Sequence, residues 1–143
     1  MSHSFRPFTG AKIALLSEGK VVTYLRAAKP GIPFPNMWDL AGGGRAGSET
    51  PEGCALRETE EEFGLRIDAS RIVWCRRYPH ATKGDQHAYF MVAPITSAEV
   101  ASIRFGDEGQ HWQMMKISTF VQHPDAVPPL RERLKAYLAH AKS

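Results

Sequence analysis

Glu58, Glu61 and Glu62 are the residues of this 143-residue chain whose types and spacing most plainly invite chemistry. On a helix, which turns about 100° per residue, positions i, i+3 and i+4 fall within an arc of roughly 100°. Leu56, Thr59 and Phe63 then project to the other side as a core face. Carboxylates crowded in this way repel, at a cost of about a few tenths of a kcal/mol per pair. A hard divalent cation removes that penalty. Mg²⁺ in particular takes carboxylate oxygens, keeps several waters and bridges to substrate phosphates. A run of acids alone is most often only a solvated helix face, so the residues around it must decide.

Those residues extend the pattern. Gly43 is followed after five residues by Glu49 and after seven more by Arg57-Glu58-Thr59-Glu60-Glu61-Glu62-Phe63-Gly64-Leu65. This resembles the box of the Nudix family, G-x5-E-x7-R-E-U-x-E-E-x-G-U with U aliphatic. All seven fixed positions match (Gly43, Glu49, Arg57, Glu58, Glu61, Glu62 and Gly64). At average residue frequencies such a match arises by chance on the order of one in a million times. Two departures stand out. Thr59 occupies the first aliphatic position, and Trp38-Asp39-Leu40-Ala41-Gly42-Gly43 resembles the family's W-x-x-P-G-G with alanine for proline.

The resemblance implies a pyrophosphohydrolase that uses Mg²⁺, with Mn²⁺ as the other candidate, to promote water attack on phosphorus. It implies Glu58, Glu61 and Glu62 as catalytic metal ligands, with the carbonyl of Gly42 beside them. Arg57 and Glu49 form the pair that orients the helix, while Gly43 and Gly64 support the site. One of Glu58 or Glu61 is the candidate proton acceptor. Gly106-Asp107-Glu108-Gly109-Gln110 resembles the K-E-G-Q segment of the MutT-like branch, which implies Glu108 as a further metal ligand. The same branch suggests Arg26, Leu40 and Gln86 as substrate contacts. Trp38, Trp74 and Trp112 read first as core residues, and Trp38, next to the metal loop, is the one that stands as a candidate base platform. Before the terminal helix the chain has His123-Pro124-Asp125-Ala126-Val127-Pro128, with no asparagine to read a guanine edge. The implied substrate is a nucleoside triphosphate or a related nucleoside diphosphate derivative. ADP-sugars, dinucleoside polyphosphates and RNA 5′ ends are the alternatives, and a non-catalytic nucleotide sensor comes behind them.

The elements that must position these residues read as one α/β domain over 1–143, a sandwich of helices on a mixed β-sheet. Residues 11–16 (AKIALL) and 21–25 (VVTYL) flank Ser17-Glu18-Gly19-Lys20 as a hairpin. Three prolines in residues 29–36 make a loop. Thr50 is an N-cap, Pro51 a first helical residue and Gly64 a stop, which frames a helix over 51–63. Strands follow at 72–78 and 87–93 around a turn through Lys83-Gly84-Asp85, with a short helix near 100–103 and a strand at 112–117. A terminal amphipathic helix after Pro128-Pro129 carries Leu130, Leu134, Tyr137, Leu138 and Ala141.

Composition narrows the remaining classes. Eighteen Lys and Arg against fifteen Asp and Glu give +3, too little to argue for duplex nucleic acid. No window approaches the roughly 20 apolar residues of a membrane span, and the first ten residues lack the apolar core of a signal peptide. Cys54 and Cys75 are too few for a disulfide framework and are expected to be buried and reduced. These features suggest a cytoplasmic monomer or homodimer with a small nucleotide substrate.

Overall fold

A computed structural model describes residues 7–80 and 86–142. Strands β1 (Phe8–Ser17) and β2 (Lys20–Arg26) form the expected hairpin. Its two-residue turn, Glu18-Gly19, has φ of 52° and 77°, positive at both positions as the twist of a tight hairpin requires. Strand β3 (Trp38–Asp39) pairs with β2, and β4 (Ala41–Gly44) runs antiparallel to β1 with Lys12 opposite Gly42. Strand β5 (Trp74–Pro79) pairs antiparallel with β6 (His87–Pro94), which lies parallel to β1. Strand β7 (Gly109–Lys116) completes the sheet against β2. The result, among the described residues, is a mixed sheet of seven strands with four helices.

Alternation along β1 and β6 divides the interior in two. Ile13, Leu15 and Met91 point to one side, against Cys54, Ala55 and Phe63 of helix α1 (Pro51–Phe63). Ala14, Phe90 and Val92 point to the other, against Phe120 of α3 (Ile117–Phe120) and Leu130 and Leu134 of α4 (Pro128–Ala141). Phe63, Phe120 and Leu134 are fully buried, and truncating any of them to alanine would cost about 2–5 kcal/mol.

Several boundaries differ from the sequence reading. Helix α2 spans Ser97–Ala101 rather than 100–103, because Thr96 and Glu99 cap each other reciprocally and start it earlier. Strand β5 begins at Trp74 because a 3-10 turn over Ala69–Arg71, capped by Asp68, precedes it. Strand β7 begins at Gly109, and Ile117, expected in the strand, opens α3 instead. Pro128 and Pro129 lie inside the first turn of α4, where their missing N–H groups cost nothing. Cys54 is buried but Cys75 is exposed; both are free. The turn through Lys83-Gly84-Asp85 lies outside the described residues.

Candidate active site

The glutamate helix begins and ends where its sequence dictates. Thr50 Oγ1 accepts the N–H of Gly53 at 3.0 Å, and Gly64, at φ 68°, returns its N–H to the carbonyl of Glu60 at 2.9 Å. Thr59 is tolerated in a fully buried position because its hydroxyl donates to the carbonyl of Ala55 at 2.8 Å. The helix turns the three glutamates differently from the simple arc. Glu62 is only 4% exposed and shares the inner face with Thr59 and Phe63, whereas Glu61 is open to solvent.

The glycine loop meets this helix closely. The N–H of Gly42 donates to Glu62 Oε1 at 3.0 Å. Gly42 has φ of 116°, and a Cβ there would strike the Ala11 carbonyl and Lys12. A Cβ on Gly43 would lie 2.7 Å from the Glu58 carboxylate. Arg57 spans loop and helix. Its Nε and Nη2 grip both oxygens of Glu49, Nη2 also reaches the carbonyl of Gly44 at 2.9 Å, and Nη1 contacts Glu58 at 3.2 Å and Glu61 at 3.1 Å. This fork and the Ala46 N–H hold Glu49 below the usual carboxylate range.

Glu108 arrives from the turn before β7. That turn is tied to the open end of α1, with Arg104 N–H donating to Phe63 O at 2.9 Å and Gly106 N–H to Glu62 O at 2.8 Å. As a result one carboxylate oxygen each from Glu58, Glu62 and Glu108 lie within 4.8 Å of one another. Oxygens on opposite sides of a hard cation bound at 2.0–2.1 Å stand about 4 Å apart, so the three groups fit a divalent ion. Glu61 stays outside this trio, turned to Arg57, but it lines the adjoining small cavity with Glu62 and Glu108.

Burial pushes the Glu62 carboxyl up to about 8 and also raises Glu58. Withdrawal from water is the larger cause, and the neighbouring Glu58 adds to it at Glu62. A buried carboxyl such as Glu62, which accepts a single backbone hydrogen bond, is one that a divalent ion can complete.

A family model for the NUDIX domain matches residues 7–137. The chain belongs to the Nudix family. No curated protein sequence matches it. Among solved structures, the MutT protein from Methanosarcina mazei Go1 is 16% identical, with 99% of this chain and 100% of that one covered at a TM-score of 0.72. A C. elegans Ap4A hydrolase is also 16% identical, covering 93% and 98% at 0.69. A bifunctional NMN adenylyltransferase/ADP ribose pyrophosphatase from Francisella tularensis, complexed with AMP and a Mn ion, is 13% identical over 96% of this chain at 0.76. The present chain spans only 43% of that protein's length. At these identities the neighbours show a shared Nudix fold, and together with the family match they support a pyrophosphohydrolase that uses a divalent metal.

The remaining candidates of this Nudix chain fall in different places. Arg26 lines the cleft, with Nη1 on Asp39 at 2.8 Å and Nε on the Pro33 carbonyl at 2.9 Å. Trp38 is half-buried, edge-on to His111. Leu40 is fully buried among the residues of α3 and α4, and reaches the site only through its carbonyl, which accepts from Lys12 Nζ at 3.2 Å. Gln86 is exposed at the head of β6, where its carbonyl accepts the His80 N–H. Two residues central to the geometry, Lys12 and its partner Asp39, escaped sequence reasoning. Lys12 Nζ donates to Asp39 Oδ2 and to the Gly42 carbonyl, both at 3.0 Å. Burial opposes its charge, yet Asp39, Tyr24 and Glu62 hold its pKa above the ordinary value. The only signal was a lysine inside an apolar strand run.

Proposed function

We propose that this chain hydrolyses the pyrophosphate linkage of a nucleoside triphosphate in a Mg²⁺-dependent reaction, giving the nucleoside monophosphate and pyrophosphate. The observation that carries the reading is the convergence of Glu58, Glu62 and Glu108 from a helix and a separate turn. Glu58, Glu61, Glu62 and Glu108, with the Gly42 carbonyl, are the proposed ligands. A bound divalent ion supplies charge neutralisation of the diphosphate and an activated water. The chain's own residues do the rest. Arg57 fixes the Glu58 and Glu61 carboxylates against the loop, and Glu49 fixes Arg57. Gly43 leaves room for Glu58 beside the loop. Arg26 and Lys29 line a second hollow with Glu108, so cations border the acids where a polyphosphate tail would lie.

No helix among the described residues is long and apolar enough to cross a membrane. We place the enzyme in the cytoplasm, as a monomer or homodimer acting on small nucleotides, on the strength of its two free cysteines and a net charge of only +3. Release of pyrophosphate or phosphate across nucleoside triphosphates, ADP-ribose, dinucleoside polyphosphates and 5′-triphosphate RNA tests the reading. Turnover of a nucleoside triphosphate with pyrophosphate as product is the expected result. Preference for any of the other three would replace the substrate assignment. Tight binding without turnover in Mg²⁺ or Mn²⁺ would replace the enzyme with a sensor.

A further inference from the structure

Three consecutive glycines, Gly42, Gly43 and Gly44, end β4 where it meets the glutamate helix. Glycine loses more conformational freedom on folding than any other residue, and this run has no side chains of its own to fix it. Each of its carbonyls takes a side-chain donor from elsewhere. Gly44 O accepts from Arg57 Nη2 at 2.9 Å, Gly43 O from Cys54 Sγ at 3.4 Å, and Gly42 O from Lys12 Nζ at 3.0 Å. Arg57 and Cys54 belong to α1. Lys12 is the donor that the sheet supplies.

An ammonium has three donors and no acceptor. Lys12 spends all three on one stretch of backbone and its carboxylate, with Asp39 Oδ2 at 3.0 Å, Leu40 O at 3.2 Å and Gly42 O at 3.0 Å. It lies opposite Gly42 in the pairing of β1 with β4, so its side chain crosses to the facing strand and ties residues 39, 40 and 42 together. At φ of 116°, Gly42 sends its N–H to Glu62 Oε1 and its carbonyl to Lys12. Ala41 precedes it and offers no ring to fix the backbone there.

Towards a cation in the site, Lys12 has two opposed effects. Its charge repels a metal ion at the neighbouring carboxylates, while its hydrogen bond holds a backbone oxygen in place. A carbonyl has two lone pairs, so the oxygen that accepts from Lys12 keeps one free. The repulsion is softened because Asp39, with its side chain only 3% exposed, pairs the ammonium at 3.0 Å. What reaches the metal is the field of an ion pair, in which the two Coulomb contributions largely cancel.

We propose that Lys12 is a positioning residue for the metal site, a strut from β1 that fixes the Gly42 carbonyl and keeps the Gly42 N–H on Glu62. The inference rests on the metal-site reading above and adds the residue that holds its backbone ligand. Its consequence runs against simple electrostatics: removing a positive charge from beside the site should weaken the binding of a cation.

Titration of the full chain with Mn²⁺ at pH 7, without nucleotide, measures this through the electron paramagnetic resonance of free Mn²⁺. Lys12→Met keeps the length of the side chain and removes its donors and charge. It should raise the dissociation constant about tenfold or more, as loss of a group that orients a metal ligand does. Equal or tighter Mn²⁺ binding by Lys12→Met would overturn the proposal, the tighter result leaving repulsion as the lysine's only influence. A lower melting temperature with an unchanged dissociation constant would reduce Lys12 to a structural residue. If Lys12→Met does not fold, wild type labelled with ¹⁵N-lysine carries the test. One ammonium resonance should exchange its protons slowly with water and shift on saturation with Mg²⁺; absence of either property would overturn the strut. Failure of wild type to bind Mn²⁺ at millimolar concentration would remove the metal reading and the strut together, whereas equal binding by wild type and Lys12→Met removes the strut alone.

Discussion

Asp39 and Glu62 are both almost fully buried acids, and both belong to the neighbourhood of the Gly42 loop, yet they behave oppositely. Asp39 is 2% exposed and accepts four hydrogen bonds, two of them from cations. Burial opposes its ionisation, but Lys12 and Arg26 prevail and hold its pKa below the usual range. Glu62 is 4% exposed and accepts one hydrogen bond, from the Gly42 N–H, so burial prevails and lifts it to about 8. Burial alone does not decide what an acid does. The number and charge of its donors decide. Asp39 is a structural anion whose partners are already in place; Glu62 is an incomplete one, and incompleteness is what a metal site needs.

The largest effect expected from breaking this contrast is on the structural side. Asp39→Asn leaves Lys12 and Arg26 partly buried without their anion, which should destabilise the fold by about 3 kcal/mol, with chemical denaturation as the measurement. Retention of wild-type stability would mean that the network is decorative. The same isosteric change at Glu62 should act on chemistry instead. Glu62→Gln should lower turnover by more than the ~10–100-fold typical of residues that only support a ligand, while the metal-free protein melts at or above the wild-type temperature at pH 7. A fall in stability without a fall in turnover would exchange the roles of the two acids.

A pH series sharpens the same comparison. Glu62 titrates higher in the fold than its ordinary 4.5, so the folded state binds the extra proton. Its contribution to the metal-free fold is full below the ordinary value and is lost as pH rises through about 8. Asp39, shifted down, contributes above its ordinary range and loses that contribution on acidification. Melting of the metal-free protein from pH 5 to 9 should therefore show wild type falling behind Glu62→Gln, and a saturating divalent ion should close the gap. At pH 7 metal binding should release protons, read calorimetrically from the dependence of binding heat on buffer ionisation enthalpy. Parallel melting curves with no proton release would show that Glu62 is ionised without metal.

Much of this was legible in the sequence because its signals are local. Thr50, Pro51 and Gly64 frame α1 within a single segment, and the spacing of Glu49 and Arg57 places them one loop and two turns apart, where they pair. Glu18-Gly19 announced its hairpin in the same way. What stayed hidden depends on the sheet. Lys12 faces Gly42 only because β1 and β4 pair in that register. The arc drawn on a helical wheel also said nothing about which edge would be covered. Contact with the loop buries Glu62 and leaves Glu61 outside.

Glu108 offers the smallest and most discriminating test, because it is the one exposed member of the acidic trio. An exposed acid in a Gly-Asp-Glu-Gly turn has no intrinsic reason to matter to the fold, so Glu108→Gln should leave the metal-free protein's melting unchanged. Its carboxylate reaches Glu58 and Glu62 only because Arg104 and Gly106 tie the turn to the end of α1, an arrangement with consequence only if a cation joins the three. For wild type, Mg²⁺ at a hundredfold excess over its dissociation constant should add about 2.7 kcal/mol of stability. For Glu108→Gln the same stabilisation should require a higher Mg²⁺ concentration, and turnover at limiting metal should fall in proportion, recovering in part as metal is raised. Coincident Mg²⁺ titrations of the two proteins, with equal turnover throughout, would return Glu108 to the turn and leave Glu58 and Glu62 to hold the ion without it.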